Sequence, residues 1–181
     1  MQILTRLCAV VLTVGAIACG PSIEITKALE VTDVTTGWYD AGITNGMNKL
    51  VPSLTFRAKN VAAVPVESVQ FNAVFRVIDD PQELGSALVK GIDRHGIAPG
   101  ASTPVYTMQS ALGYTGQQPR AEMLTHKEFR DVRVDLYAKY RSDNWTKLGS
   151  YVIQRKLLTS APPETPAVAP APPAGGPGGS N

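Results

Sequence analysis

The fold class is decided by the stretch VPSLTFRAKNVAAVPVESVQFNAVFRVI, which spans residues 51–78. Its second half alternates apolar and polar side chains, and one face is formed by Val69, Phe71, Ala73, Phe75 and Val77. The same alternation occurs in its first half at Leu54, Phe56 and Ala58. A period of two is typical of a β-strand that presents one face to a core. The stretch therefore predicts two strands at the centre of an antiparallel β-sandwich.

The segment between these strands predicts a turn. Asn60 can hydrogen-bond its own backbone to start the turn, and Pro65 fixes φ just before the next strand. Further strands are predicted at Ile23–Thr32, residues 84–92, 103–109, 132–141 and 145–158. Residues 112–128 form an insertion, and a short helix is predicted from Pro119 to Phe129, because proline suits the first turn of a helix.

Length and composition predict one domain, and the small net charge excludes a protein that binds nucleic acid or a membrane through a strongly basic surface. The chain has 181 residues, of which 44% are hydrophobic and 18% charged, with a net charge of +2. That charge falls to +1 without Arg6, which is too little for a nucleic-acid footprint or a polybasic membrane patch. We therefore expect no nucleic-acid partner.

The N-terminus carries one positive charge in Met1–Arg6, a run of twelve largely apolar residues in Leu7–Ala18, and the sequence Ala16-Ile17-Ala18 before Cys19. This pattern resembles a bacterial lipoprotein signal peptide with its lipobox. The resemblance implies that residues 1–18 are removed and that Cys19 is acylated as the first mature residue. It places the protein in the bacterial cell envelope, lipid-anchored on a periplasmic or outer-membrane face.

Two alternatives to a lipid anchor are a secretory signal cut near Ala18 and an uncleaved membrane helix. Twelve residues make about 18 Å of helix, well short of the roughly 30 Å hydrocarbon core, so a spanning helix is disfavoured. Cys8 lies inside the leader, which leaves the mature chain one cysteine and no internal disulfide. Residues 19–22 would link the anchor to the domain over roughly 14 Å.

Trp38 and Tyr39 begin a predicted loop that runs to Gly46. Together with Tyr114 in the insertion, they are our candidate contact surface for a partner, because amphipathic aromatic side chains favour interfaces. The alternative is that they cap the end of the sandwich. On the contact hypothesis, replacing Trp38 and Tyr39 by Ala would release a partner without unfolding the domain.

The order of elements from the second strand to residue 102 resembles the FxLYD-type immunoglobulin-like sandwiches of bacterial envelope proteins. The residues that carry this resemblance are Asn60, Pro65, Phe75, Asp79, Gly85, Ile97, Pro99, Gly100 and Ser102. It implies a single all-β, immunoglobulin-like sandwich of seven or eight strands over residues 23–158, and it implies no catalytic residue.

Residues 159–181 contain seven prolines and four glycines, a composition that predicts a disordered tail. The tail would be a tether or an inert solubilising segment.

No constellation typical of an enzyme, cofactor site or metal site occurs in the sequence. His95 and His126 stand apart from other ligand residues, and Asp79, Asp80 and Glu83 favour a solvated turn over a weak Ca²⁺ site. We therefore expect a membrane-anchored, non-catalytic interaction module, such as an accessory or assembly subunit of an envelope complex. The alternative is a carrier or sensor of a small apolar ligand or lipid, bound between the sheets or under residues 112–128.

Overall fold

The computed structural model describes residues 23–158. The leader, Cys19, the anchor linker and the proline-rich tail lie outside the described residues, so the predictions made for them stay predictions. The described residues form nine strands and two short helices. None of these helices is long and apolar enough to cross a membrane.

The elements follow one another in a simple order. The helices are α1 (Ile25–Ala28) and α2 (Arg120–Met123), and the strands are β1 (Leu29–Thr44), β2 (Met47–Asn60), β3 (Val69–Val77), β4 (Glu83–Ile92), β5 (Tyr106–Gln109), β6 (Tyr114–Gly116), β7 (Val132–Tyr140), β8 (Thr146–Val152) and β9 (Leu157–Leu158).

The strands form two sheets. The first has the order β5-β2-β1-β9, with β6 also paired to β2, and the second has the order β4-β3-β7-β8. Every pairing is antiparallel except that of β1 with β9. The predicted all-β sandwich is confirmed. Nine strands occur instead of seven or eight because β6 was not predicted and because the strand predicted over residues 145–158 divides into β8 and β9.

The core lies between the inner faces of the two sheets. The inner positions of β2, β3 and β7 are fully buried, as their period of two predicts: Leu54, Phe56, Ala58, Phe71, Ala73, Phe75, Val134, Leu136 and Ala138. Phe56 of the first sheet meets Phe71 of the second edge to face, with 5.2 Å between ring centroids. Each large apolar side chain buried here contributes about 1.5–3 kcal/mol to stability.

The predicted first strand is wrong in its first half. Residues 25–28 form a helical turn, in which the backbone N–H groups of Lys27 and Ala28 donate to the Glu24 carbonyl at 3.0 and 3.1 Å. A helical turn places Ile25 and Ala28, three residues apart, on one face, and both are buried. Tertiary burial therefore outweighs the local alternation.

The predicted loop from Trp38 to Gly46 is also wrong, because β1 continues through it to Thr44. Asn45 and Gly46 have φ values of 51° and 76° and join β1 to β2, and Thr44 pairs with Met47. A two-residue turn with positive φ at both positions matches the twist of a β-hairpin, and Asn-Gly is its preferred sequence.

One end of the sandwich holds three connections between strands and the start of β1. We call it the N-terminal end: β1 begins there, β2 ends and β3 begins there, and the segments joining β4 to β5 and β7 to β8 lie there too. Asn60 is fully buried and joins the segment between β2 and β3 to the segment between β4 and β5. Its Nδ2 donates to the carbonyls of Val64 and Ile97, both at 2.9 Å, and its Oδ1 accepts from the Ala62 N–H at 2.9 Å. The predicted turn at Asn60 is confirmed.

Asn60→Ala is expected to lower the free energy of unfolding by about 1–3 kcal/mol, because it leaves two carbonyls and an N–H group without their partner. Urea titration followed by circular dichroism measures this change. Asn48→Ala is the matched control, since Asn48 makes a single exposed hydrogen bond to the Gln118 carbonyl. An equal loss in both variants would contradict this role of Asn60.

Candidate functional site

The three aromatic residues of the predicted contact surface do not form one surface. Trp38 is 0% exposed. Its ring packs against Tyr114 at 5.5 Å and edge to face against Phe129 at 4.7 Å between centroids. Trp38 is therefore a core residue, and its prediction as a partner contact is wrong.

Tyr39 lies on the opposite face of β1, because neighbouring strand residues point to opposite sides of a sheet. It pairs with Val51 in the register of the first sheet and is half-buried. Tyr114 is half-buried in β6, its hydroxyl donates to the Arg130 carbonyl at 3.3 Å, and burial raises its pKa. The structure thus joins Tyr114 to Trp38 inside the domain and separates both from Tyr39.

The outer face of the second sheet offers a different surface, which we call the basic face. Its side chains lie on the side of β4, β3, β7 and β8 that points away from the core. They form cross-strand rows, according to the register of the sheet: Lys90, Gln70 and Lys139; Leu88, Asn72, Tyr137 and Lys147; Ser86, Val74, Asp135 and Ser150; Glu83, Arg76, Arg133 and Val152.

The basic face holds the excess positive charge of the domain. It carries five basic side chains against the two carboxylates of Glu83 and Asp135. Only Arg6 and Glu164 of the 17 basic and 15 acidic residues lie outside residues 23–158, so the described domain has a net charge of +2. The face alone amounts to +3. The remainder of the described domain is therefore slightly acidic.

Asp135 organises the centre of the basic face. It is only 3% exposed, although it points away from the core. Its Oδ2 lies 3.0 Å from Arg76 Nη1, and its Oδ1 lies 2.7 Å from Lys147 Nζ and accepts from Ser150 Oγ at 2.6 Å. Burial, the largest single influence, raises the pKa of Asp135, but the hydrogen bonds from Lys147 and Ser150 and the positive charges of Lys147 and Arg133 together outweigh it and hold the pKa below its ordinary value.

Three cations of the basic face remain available to a partner. Within residues 23–158, Lys90, Arg133 and Lys139 form no ion pair with a carboxylate. Two apolar side chains of the same face are open to solvent, since Leu88 is 66% and Val152 59% exposed. Charge and exposed apolar area therefore occur on one surface.

A small open cleft lies beside the insertion, with a volume of about 210 Å³. We call it the insertion cleft. It is lined by Tyr114, Thr115, Gly116, Gln118, Met123, His126, Glu128 and Phe129. Its floor is apolar, because Met123 and Phe129 are buried, whereas His126 and Glu128 at its rim are exposed.

The insertion is fastened to the sandwich on both sides of this cleft. Arg120 Nε lies 2.5 Å from Asp40 Oδ2 of β1. The ion pair with Arg120 is the main reason that the pKa of Asp40 lies below its ordinary value. Arg155 donates to the carbonyls of Leu124 and Phe129 at 3.2 and 3.0 Å. The insertion cleft is therefore pre-formed.

The two histidines and the acidic turn considered in the sequence analysis lie apart from one another. His95 and His126 are both exposed, the former in a turn and the latter at the rim of the insertion cleft. Asp79 and Asp80 lie in the turn between β3 and β4, where Asp80 accepts from the Gln82 N–H and pairs with Arg130. Across residues 23–158, no group of three or more His, Cys, Asp or Glu could hold a metal ion.

No protein-family model and no curated protein matches the chain. Among solved structures, a crystal structure assigned to the ApaA protein of Bordetella pertussis aligns over 69% of this chain and 91% of its own length, with 16% identity and a TM-score of 0.40. An X-ray structure of the Northeast Structural Genomics Consortium target SoR45 aligns over 72% of this chain and 85% of its own, with 13% identity and a TM-score of 0.37. These likenesses carry no argument about function, which rests on the geometry above.

The basic face was not identified as a site from sequence. The alternation placed Arg133, Asp135, Tyr137 and Lys139 on the outer side of one strand, and Gln70, Asn72 and Arg76 on the outer side of another. The alternation does not show that β7 lies between β3 and β8. This strand order places the outer side chains of β3, β7 and β8 next to one another in the cross-strand rows of the basic face.

Trp38→Ala is expected to destabilise the domain by about 3–5 kcal/mol, the usual cost of truncating a buried aromatic side chain. Tyr39→Ala should cost much less, because Tyr39 is only half-buried on the outer face of the first sheet. Thermal and urea unfolding of the two single variants measures the difference. Equal small losses would place Trp38 at the surface after all.

Asp135→Asn is expected to lower the free energy of unfolding at pH 7 by about 1.5–3 kcal/mol, the usual value of hydrogen bonds to a charged group. The folded-state pKa of Asp135 lies below its ordinary value of 3.8. Its charge therefore stabilises the fold above that pH, and this stabilisation disappears as the pH falls through the folded-state pKa.

The stability gap between wild type and Asp135→Asn should accordingly close in acid. Urea unfolding at a series of pH values from neutral to strongly acidic measures the gap. Asp143→Asn, at an exposed position without an ion pair among the described residues, is the matched control and should change stability by less than about 0.5 kcal/mol. A gap that is constant with pH would contradict the role given to the Asp135 charge.

Proposed function

We propose that the protein is a membrane-anchored, non-catalytic interaction module of the bacterial cell envelope whose basic face binds an acidic surface of a partner protein. The observation that carries this proposal is the basic face itself. It has a charge of +3 on a domain whose net charge is +2. Such a concentration of one sign on one sheet face selects a partner of the opposite sign.

The details of the face fit a protein partner. Protein interfaces combine apolar contacts with a charged or polar surround, and tyrosine and arginine are enriched in them. Here Leu88 and Tyr137 lie in one row with Asn72 and Lys147, while Lys90 and Lys139 lie in the row beside it. Asp135 holds Arg76 and Lys147 in place, so part of the face is ordered before any partner arrives.

The membrane anchor in this proposal rests on the sequence. Cys19 follows the lipobox-like Ala16-Ile17-Ala18, and acylation there would confine the domain to a bilayer surface. Confinement raises the effective concentration of the module near any partner in the same membrane. An accessory or assembly subunit gains from such confinement.

The insertion cleft favours a second candidate function, the binding of a small ligand with an apolar part. Its apolar floor and polar rim suit a molecule that fills about 210 Å³. A ligand between the sheets is disfavoured, because Phe71, Phe75 and Leu136 are fully buried in a continuous core. The carrier alternative therefore moves to the insertion.

Purification of the native full chain in mild detergent tests the leading proposal. We expect acylation of Cys19 by mass spectrometry and one protein in fixed ratio, which dissociates as salt is raised because its contacts are electrostatic. Replacement of Lys90, Arg133 and Lys139 by Glu should abolish that association. The triple variant should fold, because all three side chains lie on the outer face without ion pairs among the described residues.

The matched control replaces Arg94, Lys127 and Lys156 by Glu, which changes the net charge equally at exposed positions elsewhere. It should keep the partner. Equal loss in both triple variants would show a general charge effect and contradict the basic face as the binding site. A chain that purifies alone with a small molecule, released by Thr115→Trp at the rim of the insertion cleft, would favour the second candidate.

A further inference from the structure

The N-terminal end of the sandwich exposes apolar side chains that the proposed function does not use. Val61 is 49% and Val64 42% exposed in the segment between β2 and β3, and Trp145 is 40% exposed just before β8. Ala63, between the two valines, is exposed as well. We call these four residues the apolar rim.

Backbone contacts place the segments that carry the apolar rim at the same end of the domain. The Arg141 N–H donates to the Ser68 carbonyl at 2.8 Å, which joins the segment after β7 to the segment before β3. The Val61 N–H donates to the Ala28 carbonyl at 2.9 Å, which joins the rim to α1. The described chain therefore begins directly beside the apolar rim.

The geometry points to a phospholipid bilayer as the occupant: we propose that the N-terminal end of the sandwich lies on the membrane, with Val61, Val64 and Trp145 in the interfacial region. This inference rests on the anchor in the proposed function. Cys19 precedes Ile23 by four residues, which extend over roughly 14 Å at most. If Cys19 is acylated, this short reach keeps the N-terminal end of the sandwich close to the lipid headgroups.

The side chains of the rim suit that position. Tryptophan is enriched at membrane interfaces, where its ring is partly wet and partly apolar. Valine gains from removal of its exposed area from water, at about 25 cal/mol per Å². The charges at this end are mixed, because Arg94, Arg141, Lys90 and Lys139 lie there together with Glu67, Asp93 and Asp143, and Arg141 pairs with Glu67. We therefore expect the apolar side chains to make most of the contact.

The rim is also held in shape. The Val64 carbonyl accepts from Asn60 Nδ2, and the backbone N–H groups of Val66 and Ile97 donate to each other's carbonyls at 3.1 and 2.8 Å. The segment that carries the valines is thus braced at both of its ends. It can present Val61 and Val64 to a bilayer without first being ordered.

Trp145 provides the test, because the other tryptophan, Trp38, is fully buried. The acylated full chain is reconstituted into phosphatidylcholine vesicles whose acyl chains carry bromine, which quenches nearby indole fluorescence. Most of the Trp145 emission should be lost, with a blue shift in unbrominated vesicles, whereas Trp145→Phe should leave an unquenched signal from Trp38. Added salt should not restore the emission.

Val64→Asp should reduce the quenching while the protein still floats with the vesicles. Ile43→Asp is the matched control, since Ile43 is 71% exposed near the opposite end of β1 and its replacement should leave quenching unchanged. Flotation with an acylated Cys19 but without quenching of Trp145 would overturn this inference and leave the proposed function standing. An unmodified Cys19 and no flotation would overturn the anchor and this inference with it. Quenching abolished by replacing Lys90, Arg133 and Lys139 with Glu would instead place the basic face on the membrane.

Discussion

Burial of the two inner sheet faces against each other is the constraint on which the rest of this structure depends. Residues 23–158 contain no cysteine, so no disulfide crosslinks the described domain, and its stability comes from packing such as that of Phe56 on Phe71. Because every second side chain of a central strand points into the core, the side chains between them point outward and can be polar or charged. The basic face is built from these alternate positions, among them those of β3 and β7, whose inner residues are fully buried.

Asp135 lies on the outer face of its sheet and is nevertheless almost as buried as the residues of the core. A buried carboxylate is unfavourable unless it is paired and hydrogen-bonded, and Asp135 has two cationic partners and a serine hydroxyl. The pairing immobilises Arg76 and Lys147, whereas Lys90, Arg133 and Lys139 keep their charge open to solvent. The basic face therefore contains two kinds of cation: Arg76 and Lys147, which pair with Asp135, and three others that form no ion pair among the described residues.

The sequence predicted strands correctly where one face of the strand is buried and the other faces solvent. The elements β3 and β7 were predicted almost to the residue, because Phe71, Phe75, Val134 and Leu136 repeat with a strict period of two. Trp38 was misplaced because its strand was read as a loop, although Asn45-Gly46 is the signature of a two-residue hairpin and was available in the sequence. The basic face could not be predicted, since alternation assigns a side of a sheet but does not tell which strands are neighbours.

The parallel pairing of β9 with β1 means that the first and last strands of the described chain run in the same direction. Leu157 and Leu158 pair with Trp38 and Tyr39, midway along β1, and run in the same direction as β1. The described chain therefore enters the sandwich at the N-terminal end and leaves it heading toward the opposite end. If the N-terminal end rests on a bilayer, the strands run away from the membrane surface, the basic face is directed along the membrane plane, and β9 runs in the direction that leads away from the lipid.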